Sequence, residues 1–225
     1  MTSIEWRPSG ANAQRTLVVG RSGTGKTTRA RGLAALAPRA VWLDPKGLNE
    51  AGWPHIVQAD LFADIGTAGG RAAALRDLLD QHGRIVVQLA DRPDLGKTPK
   101  ASDAAQVDAV AHAAYTLGNV LVAIDDLQGV MESAPTYYVM RVLTMGRSRG
   151  VGSLGMVTSV YRLPLDFVRQ TNHILAFAQH MAEDVDRLRA IHPDLAQASD
   201  LEPYEYAWAD LDTGTVRVFG PLAAN

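Results

Sequence analysis

Apolar residues fall into short continuous runs separated by glycine, proline and carboxylates, and between the runs lie stretches whose apolar positions recur every three or four residues. Leu17-Val18-Val19, Ala40 to Leu43, Arg84 to Leu89, Val120 to Ile124, Ser153 to Ser159 and His173 to Ala178 are the runs. Each reads as a strand buried on both faces, the pattern of a parallel sheet. A weaker strand is expected at Ile56-Val57-Gln58. The helical stretches are Thr28 to Ala37, Arg71 to Gln81, a helix capped by Ser102 with Asp103 in its first turn and running to Leu117, a helix opened by Pro135, a short helix to Arg169, and Met181 to Ile191. Gly83, Gly118 and Pro193 mark helix ends, and Glu183 and Arg187 form an i,i+4 pair. Glu205 to Ala209 and Thr215 to Phe219, joined through Asp212-Thr213-Gly214, read as a hairpin. Strands alternating with helices predict an α/β fold, a three-layer αβα arrangement around a mostly parallel sheet.

Between the first run and the first helix stand Gly20-Arg21-Ser22-Gly23-Thr24-Gly25-Lys26-Thr27, which match G-x-x-x-x-G-K-[ST]. Composition alone would produce about 0.003 such matches in a chain of this make-up, so chance is a poor explanation. Glycine lets the backbone close around an anion where a Cβ would obstruct it. The following helix then aims unpaired N–H groups and its positive dipole end at the same space. The expected phosphate cradle is Gly20 to Thr28, with Lys26 reaching the terminal phosphates and the Thr27 hydroxyl binding Mg²⁺.

The run Val120 to Ile124 ends in Asp125-Asp126. Downstream of a phosphate loop, the first acid of such a pair is expected to hold Mg²⁺ and the second to orient or deprotonate the attacking water. Asp44 ends another strand; it is either a residue of the ligand-binding edge or part of an Asp-Pro turn.

Composition narrows the class. The 225 residues carry 22 basic and 24 acidic side chains, a formal charge of −2, which argues against a surface that coats nucleic acid. Any DNA contact is therefore local. The segment Asp91 to Lys100, with two of the four lysines, is either a solvated loop or the lining of a DNA channel. No cysteine is present, so neither a disulfide framework nor a thiolate metal site is expected. No apolar stretch approaches membrane-spanning length and Met1 to Gly10 shows no signal-peptide core, so a soluble, cytoplasmic protein is expected. Residues 1–225 read as one domain: an arm over 1–15 that Trp6 is placed to anchor, a core over 16–192, and a hairpin with its tail over 203–225. The six histidines lack metal-ligand spacing; His112 and His173 are expected to be packing or surface residues, and Tyr137, Tyr138, Trp208 and Phe219 core or interface.

The order of motifs resembles the HerA–FtsK superfamily of DNA-pumping ATPases over about residues 16 to 192. It rests on the phosphate loop, a strand ending Asp44-Pro45-Lys46-Gly47, a strand ending Asp125-Asp126, then Gly146-Arg147-Ser148 leading to a strand that closes with Thr158-Ser159, with Arg162 and Pro164 beyond. Chain length makes it most similar to the genome-packaging ATPases of icosahedral viruses with an internal membrane. The resemblance implies a RecA-like core, ATP and Mg²⁺ as cofactors, and a homo-oligomeric ring, expected to be a hexamer, that pumps double-stranded DNA into a preformed capsid. Its partners would be capsid or portal-vertex proteins and small viral membrane proteins, and its place the host cytoplasm and the packaging vertex. It places Ser159 at the nucleotide-sensing position, where the family carries Gln, and Arg147 or Arg149, with Arg162 third, as an arginine supplied across the subunit boundary. The competing readings are a small-molecule kinase, which would want a lid with several arginines and an acceptor pocket and against which the paired acids and the extra strands after them argue, and a DNA-transfer or phage-morphogenesis ATPase. A GTPase is disfavoured because no N-K-x-D follows an apolar strand.

Overall fold

The computed structural model describes residues 6–95, 98–133 and 136–221. Nine strands form one sheet: β1 (Arg15–Val19), β2 (Ala40–Asp44), β3 (Ile56–Gln58), β4 (Arg84–Gln88), β5 (Leu121–Ile124), β6 (Gly152–Val157), β7 (His173–Phe177), β8 (Tyr206–Asp210) and β9 (Thr215–Phe219). Their spatial order is β3-β4-β2-β5-β6-β1-β7-β8-β9. The first seven run parallel, and β8 and β9 close the sheet as an antiparallel hairpin.

The connecting helices are α1 (Lys26–Ala34), α2 (Asp60–Ala63), α3 (Ala68–His82), α4 (Pro99–Leu117), α5 (Leu127–Ser133), α6 (Tyr137–Met145), α7 (Leu165–Gln170) and α8 (Ala182–Ile191). They make the sheet the middle of three layers. Alternate strand residues feed two separate cores: Leu17, Val19, Val41 and Leu43 pack with α3 to α8 on one face. On the other, Val18, Trp42, Met156 and Phe177 pack with Ala30, Leu33 and Ala34 of α1. Trp42 is fully buried and meets Trp53 edge-on at 6.1 Å. Burial on both faces explains why the strands read as unbroken apolar runs. Trp6 anchors the arm: its indole donates to the Thr16 hydroxyl at 2.9 Å and its ring packs on the α1-side core.

Several boundaries differ from the sequence reading. Helix α4 starts at Pro99, not at Ser102, because the Thr98 hydroxyl accepts from Ala101 N at 3.2 Å and proline fits a first turn. Ser102 instead donates to the carbonyl of Arg92 at 2.6 Å. The expected loop is thus shortened, and Arg92 within it is held by Asp64 and Asp94 at 2.8 and 2.7 Å. Helix α5, directly after the paired acids, was not expected; with seven residues it shows no clear periodicity of its own. Strand β6 stops at Val157, leaving Thr158 and Ser159 beyond it, and α8 is followed by a 3-10 turn over Pro193–Ser199. On α8 the ion pair formed is Arg189 with Asp186 rather than Glu183 with Arg187. Gly83 and Gly118 do end helices, at φ 71° and 76°. Pro135, Gly96, Lys97 and the extreme ends 1–5 and 222–225 lie outside the described residues.

Candidate functional site

The phosphate loop leaves β1 at Gly20 and enters α1 at Lys26. Gly20 must be glycine, since an added Cβ would lie 2.6 Å from Phe177 Cβ. Gly25 caps α1 in the left-handed region at φ 95°, and no side chain caps the helix, so its first N–H groups stay open to an anion. Lys26 folds back, its ammonium donating to the Arg21 carbonyl at 2.7 Å. Burial, opposed by the nearby Asp125 carboxylate, lowers its pKa.

Sheet order decides what the loop faces. Strand β6 lies between β1 and β5, so the ends of all three point to one edge, with Val19 beside Val157 and Ile124 beside Gly155. Ser22, Gly23, Gly25, Lys26, Thr27, Thr28, Asp125 and Asp126 accordingly line one cavity of about 350 Å³. Asp125 is almost fully buried; its Oδ1 accepts from Asp126 N at 3.0 Å and its Oδ2 has no partner. Burial raises its pKa, with Lys46 opposing. A buried, unpartnered carboxylate oxygen and the Thr27 hydroxyl in one cavity are hard oxygen donors that suit Mg²⁺, which commonly keeps few protein ligands and takes the rest from phosphates and water. Among the described residues no cluster of three His, Cys, Asp or Glu could hold a metal without such help. Asp126 sits at φ 49°, an uncommon conformation for a non-glycine residue and one that recurs at functional sites.

The other expected residues are placed differently. Thr24 turns its hydroxyl to the Arg21 carbonyl at 2.8 Å, within the loop. Ser159 does not line this cavity: it donates to Asp184 Oδ1 at 2.8 Å and borders a neighbouring cleft with Arg21, Ser22 and Arg162. Thr158 lines that cavity instead, because β6 ends two residues earlier than the run suggested; its hydroxyl donates to Gln128 Oε1 at 3.2 Å and its carbonyl accepts from Gln179 at 3.0 Å. Arg147 and Arg149 precede β6 and so lie at the opposite edge of the sheet, in an open groove of about 1030 Å³ shared with Arg15. Neither serves this chain's own phosphate loop. Arg149 bonds the carbonyls of Tyr115 and Thr116 at 3.3 and 3.4 Å. Arg162 lies 3.7 Å from Glu132. Asp44 is fully buried and does not line the phosphate-loop cavity; its Oδ2 accepts from Asn49 N at 2.6 Å and from Gln88 at 3.1 Å, and its Oδ1 has no partner.

Lys46, Glu50 and Tyr204 also line the cavity and were missed. Lys46 is the one with a sequence signal: it follows a strand end, but only the pairing of β2 with β5 brings it to Asp126. His112 stacks on Tyr138 at 3.6 Å, and buried His173 accepts from the Trp208 indole at 3.2 Å; both are packing residues.

No family model and no curated protein sequence matches the chain. Among solved structures it is similar to the genome packaging NTPase B204 of Sulfolobus turreted icosahedral virus 2 in complex with sulfate, at 15% identity and TM-score 0.69, over 95% of this chain and 99% of that one. The chain has the B204 fold. B204 in complex with ATP-gammaS gives 16% identity and TM-score 0.65 over 93% and 98% of the two chains. B204 described as the DNA-packaging ATPase of Sulfolobus Turreted Icosahedral Virus gives 15% and 0.62 over 94% and 99%. The likeness to B204 runs through the C-terminal hairpin, since nearly the whole of each chain is matched. At such identity it is a likeness of fold, a phosphate-loop NTPase fold with a mostly parallel sheet and antiparallel closing strands.

Proposed function

We propose that this chain is an ATP-hydrolysing translocase that packages viral double-stranded DNA, working as a homo-oligomeric ring at the packaging vertex of a capsid. The observation that carries the reading is the convergence of Lys26, Thr27, Asp125 and Asp126 on one cavity at one sheet edge, in a chain matched nearly end to end by a genome packaging NTPase. In this reading the open N–H groups of α1 and Lys26 bind the phosphates, and Asp126 orients the attacking water and accepts its proton. Mg²⁺, held by Thr27 and Asp125, would neutralise charge on the β- and γ-phosphate oxygens. Residues 16–192 act as the ATPase core, and the sequence resemblance to HerA–FtsK motors supports the ring.

The opposite-edge position of Arg147 and Arg149 supports a role across a subunit boundary, where a head-to-tail ring sets one protomer's arginine edge against the next one's phosphate edge. No helix among the described residues is long and apolar enough to cross a membrane. The test is ATP turnover with and without long duplex DNA. Stimulation by duplex, lost in Lys26→Ala, is expected. Turnover indifferent to DNA but dependent on a small acceptor would overturn the motor in favour of a kinase.

A further inference from the structure

Thr158 stands between the phosphate cavity and the neighbouring cleft, held there by two buried glutamines. Gln179 donates to its carbonyl at 3.0 Å, and Gln128 of α5 accepts from its hydroxyl at 3.2 Å. The nitrogen of the same Gln128 amide donates to Glu132 Oε1 at 3.2 Å, and the Arg162 guanidinium lies 3.7 Å from that oxygen. We propose that Gln128 is a positioning residue for hydrolysis: by accepting the hydrogen bond of the Thr158 hydroxyl it turns that oxygen's lone pairs to the cavity, where they and Asp126 hold the attacking water through its two hydrogens. The inference rests on the ATPase reading given above and adds a second acceptor for the water.

The direction of this chain follows from its far end. An ionised carboxylate has no proton to give, so Glu132 compels the Gln128 amide to present its nitrogen there and its oxygen to Thr158. An amide oxygen only accepts, so the Thr158 hydroxyl must be the donor. Its hydrogen is then engaged, and lone pairs are what it offers the cavity. Phosphate oxygens are themselves acceptors and gain nothing from such a group, whereas water is a donor. Placement supports the same role. Strands β5 and β6 are neighbours, so Asp126 and Thr158 follow adjacent strand ends and line one cavity. Gln128 lies two residues beyond Asp126, on a helix seated directly on β6, where an added Cβ at Gly155 would fall 2.5 Å from Leu127 Cδ2. One short segment therefore sets both acceptors. In the step they serve, the water oxygen bonds the γ-phosphorus and the bond from phosphorus to the bridging oxygen breaks, its electron pair leaving with ADP. One water proton passes to Asp126, and the other stays on the transferred oxygen, hydrogen-bonded to Thr158.

The test is steady-state ATP turnover, equilibrium binding of the non-hydrolysable analogue AMPPCP, and thermal unfolding of the full chain and its variants. Gln128→Met and Thr158→Val are each expected to lower kcat by about 10- to 100-fold, as misplacement of a reacting group does, with KM and AMPPCP binding unchanged. Thr158→Ser, which keeps the hydroxyl, should recover most of the turnover lost in Thr158→Val. The double variant Gln128→Met/Thr158→Val should match the slower single variant within about twofold, because both changes remove the same hold on one water. A merely structural Gln128 would shift the melting temperature and show no such coupling. Losses that multiply in the double variant, wild-type kcat in Gln128→Met, or a loss confined to AMPPCP binding overturns the proposal with the ATPase reading intact. If Gln128→Met does not fold, Glu132→Gln takes its place, since it frees the Gln128 amide to point either way: it should slow wild type but not Thr158→Val, and an equal effect in both overturns the proposal. Wild-type turnover and AMPPCP binding in Lys26→Ala would instead remove the phosphate-loop reading, and this inference with it.

Discussion

Lys46 Nζ stands 3.7 Å from Asp126 Oδ2, so the segment after β2 reaches across the cavity beside Lys26 to the end of β5. Both side chains are about half exposed, and such a pair contributes little to stability, about 0–1 kcal/mol. Its effect is on the position of Asp126. Lys46→Met is expected to leave the melting temperature within about 2 °C and to lower kcat by roughly tenfold, read by steady-state ATP turnover beside thermal unfolding. A large loss of stability with unaltered turnover would assign the lysine a packing role instead.

Gly129 gives a prediction in which stability and activity move apart. It lies in α5, where alanine is favoured by about 1 kcal/mol, yet a Cβ there would stand 3.1 Å from Asp126 Oδ2 and 3.2 Å from its Cγ. Gly129→Ala should therefore melt no lower than wild type and hydrolyse ATP several-fold more slowly. Equal turnover in the two proteins would show that the Asp126 carboxylate swings aside without consequence.

Asp125 is a carboxylate held in a desolvated place with one oxygen unpartnered. Asp125→Asn removes the buried charge, so the nucleotide-free protein is expected to gain about 1 kcal/mol, roughly 2–4 °C, while ATP turnover falls by about 10² or more. Calorimetry without nucleotide and turnover with Mg²⁺-ATP separate the two effects.

The arginine edge is tested by mixing. Arg147→Ala alone should lose most turnover, and adding Asp125→Asn subunits should restore part of it, because each mutant supplies what its neighbour lacks. No recovery at any ratio, with mixed assemblies verified by mass spectrometry, would place the effect of Arg147 within its own chain.

His173 is fully buried, and burial lowers its pKa below the ordinary histidine value, with Asp210 and Asp212 opposing. The unfolded chain takes up this proton near pH 6.5 and the folded chain only at lower pH. Between those points the unfolded state binds more protons, so stability is full above pH 6.5 and falls as the pH drops, by at most about 1.4 kcal/mol per unit. Unfolding midpoints at pH 7.5 and 5.5 should show this fall, reduced in His173→Asn, whose amide can still accept from the Trp208 indole.

Much of the fold was legible because it rests on local rules. Strands buried on both faces must be apolar throughout, so Leu17 to Val19, Val120 to Ile124 and His173 to Ala178 announced themselves, and Gly83 and Gly118 ended helices because their positive φ excludes most other residues. The phosphate loop was legible because a backbone cradle demands glycines at set intervals next to one lysine. Short elements were not: α5 and the Pro193–Ser199 turn carry too few residues for a period to emerge, and their form comes from what they pack against.

The sequence by itself determined the anion cradle, the paired acids and the apolar runs, since each depends on neighbours in the chain. Tertiary structure decided which strand ends are adjacent. By setting β6 between β1 and β5 it joined residues a hundred positions apart into one cavity. By ending β6 at Val157 it exchanged Ser159 for Thr158, and by pairing β2 with β5 it brought Lys46 to Asp126. Sheet order follows from the burial of all strands together, a property of the whole chain that no single stretch encodes.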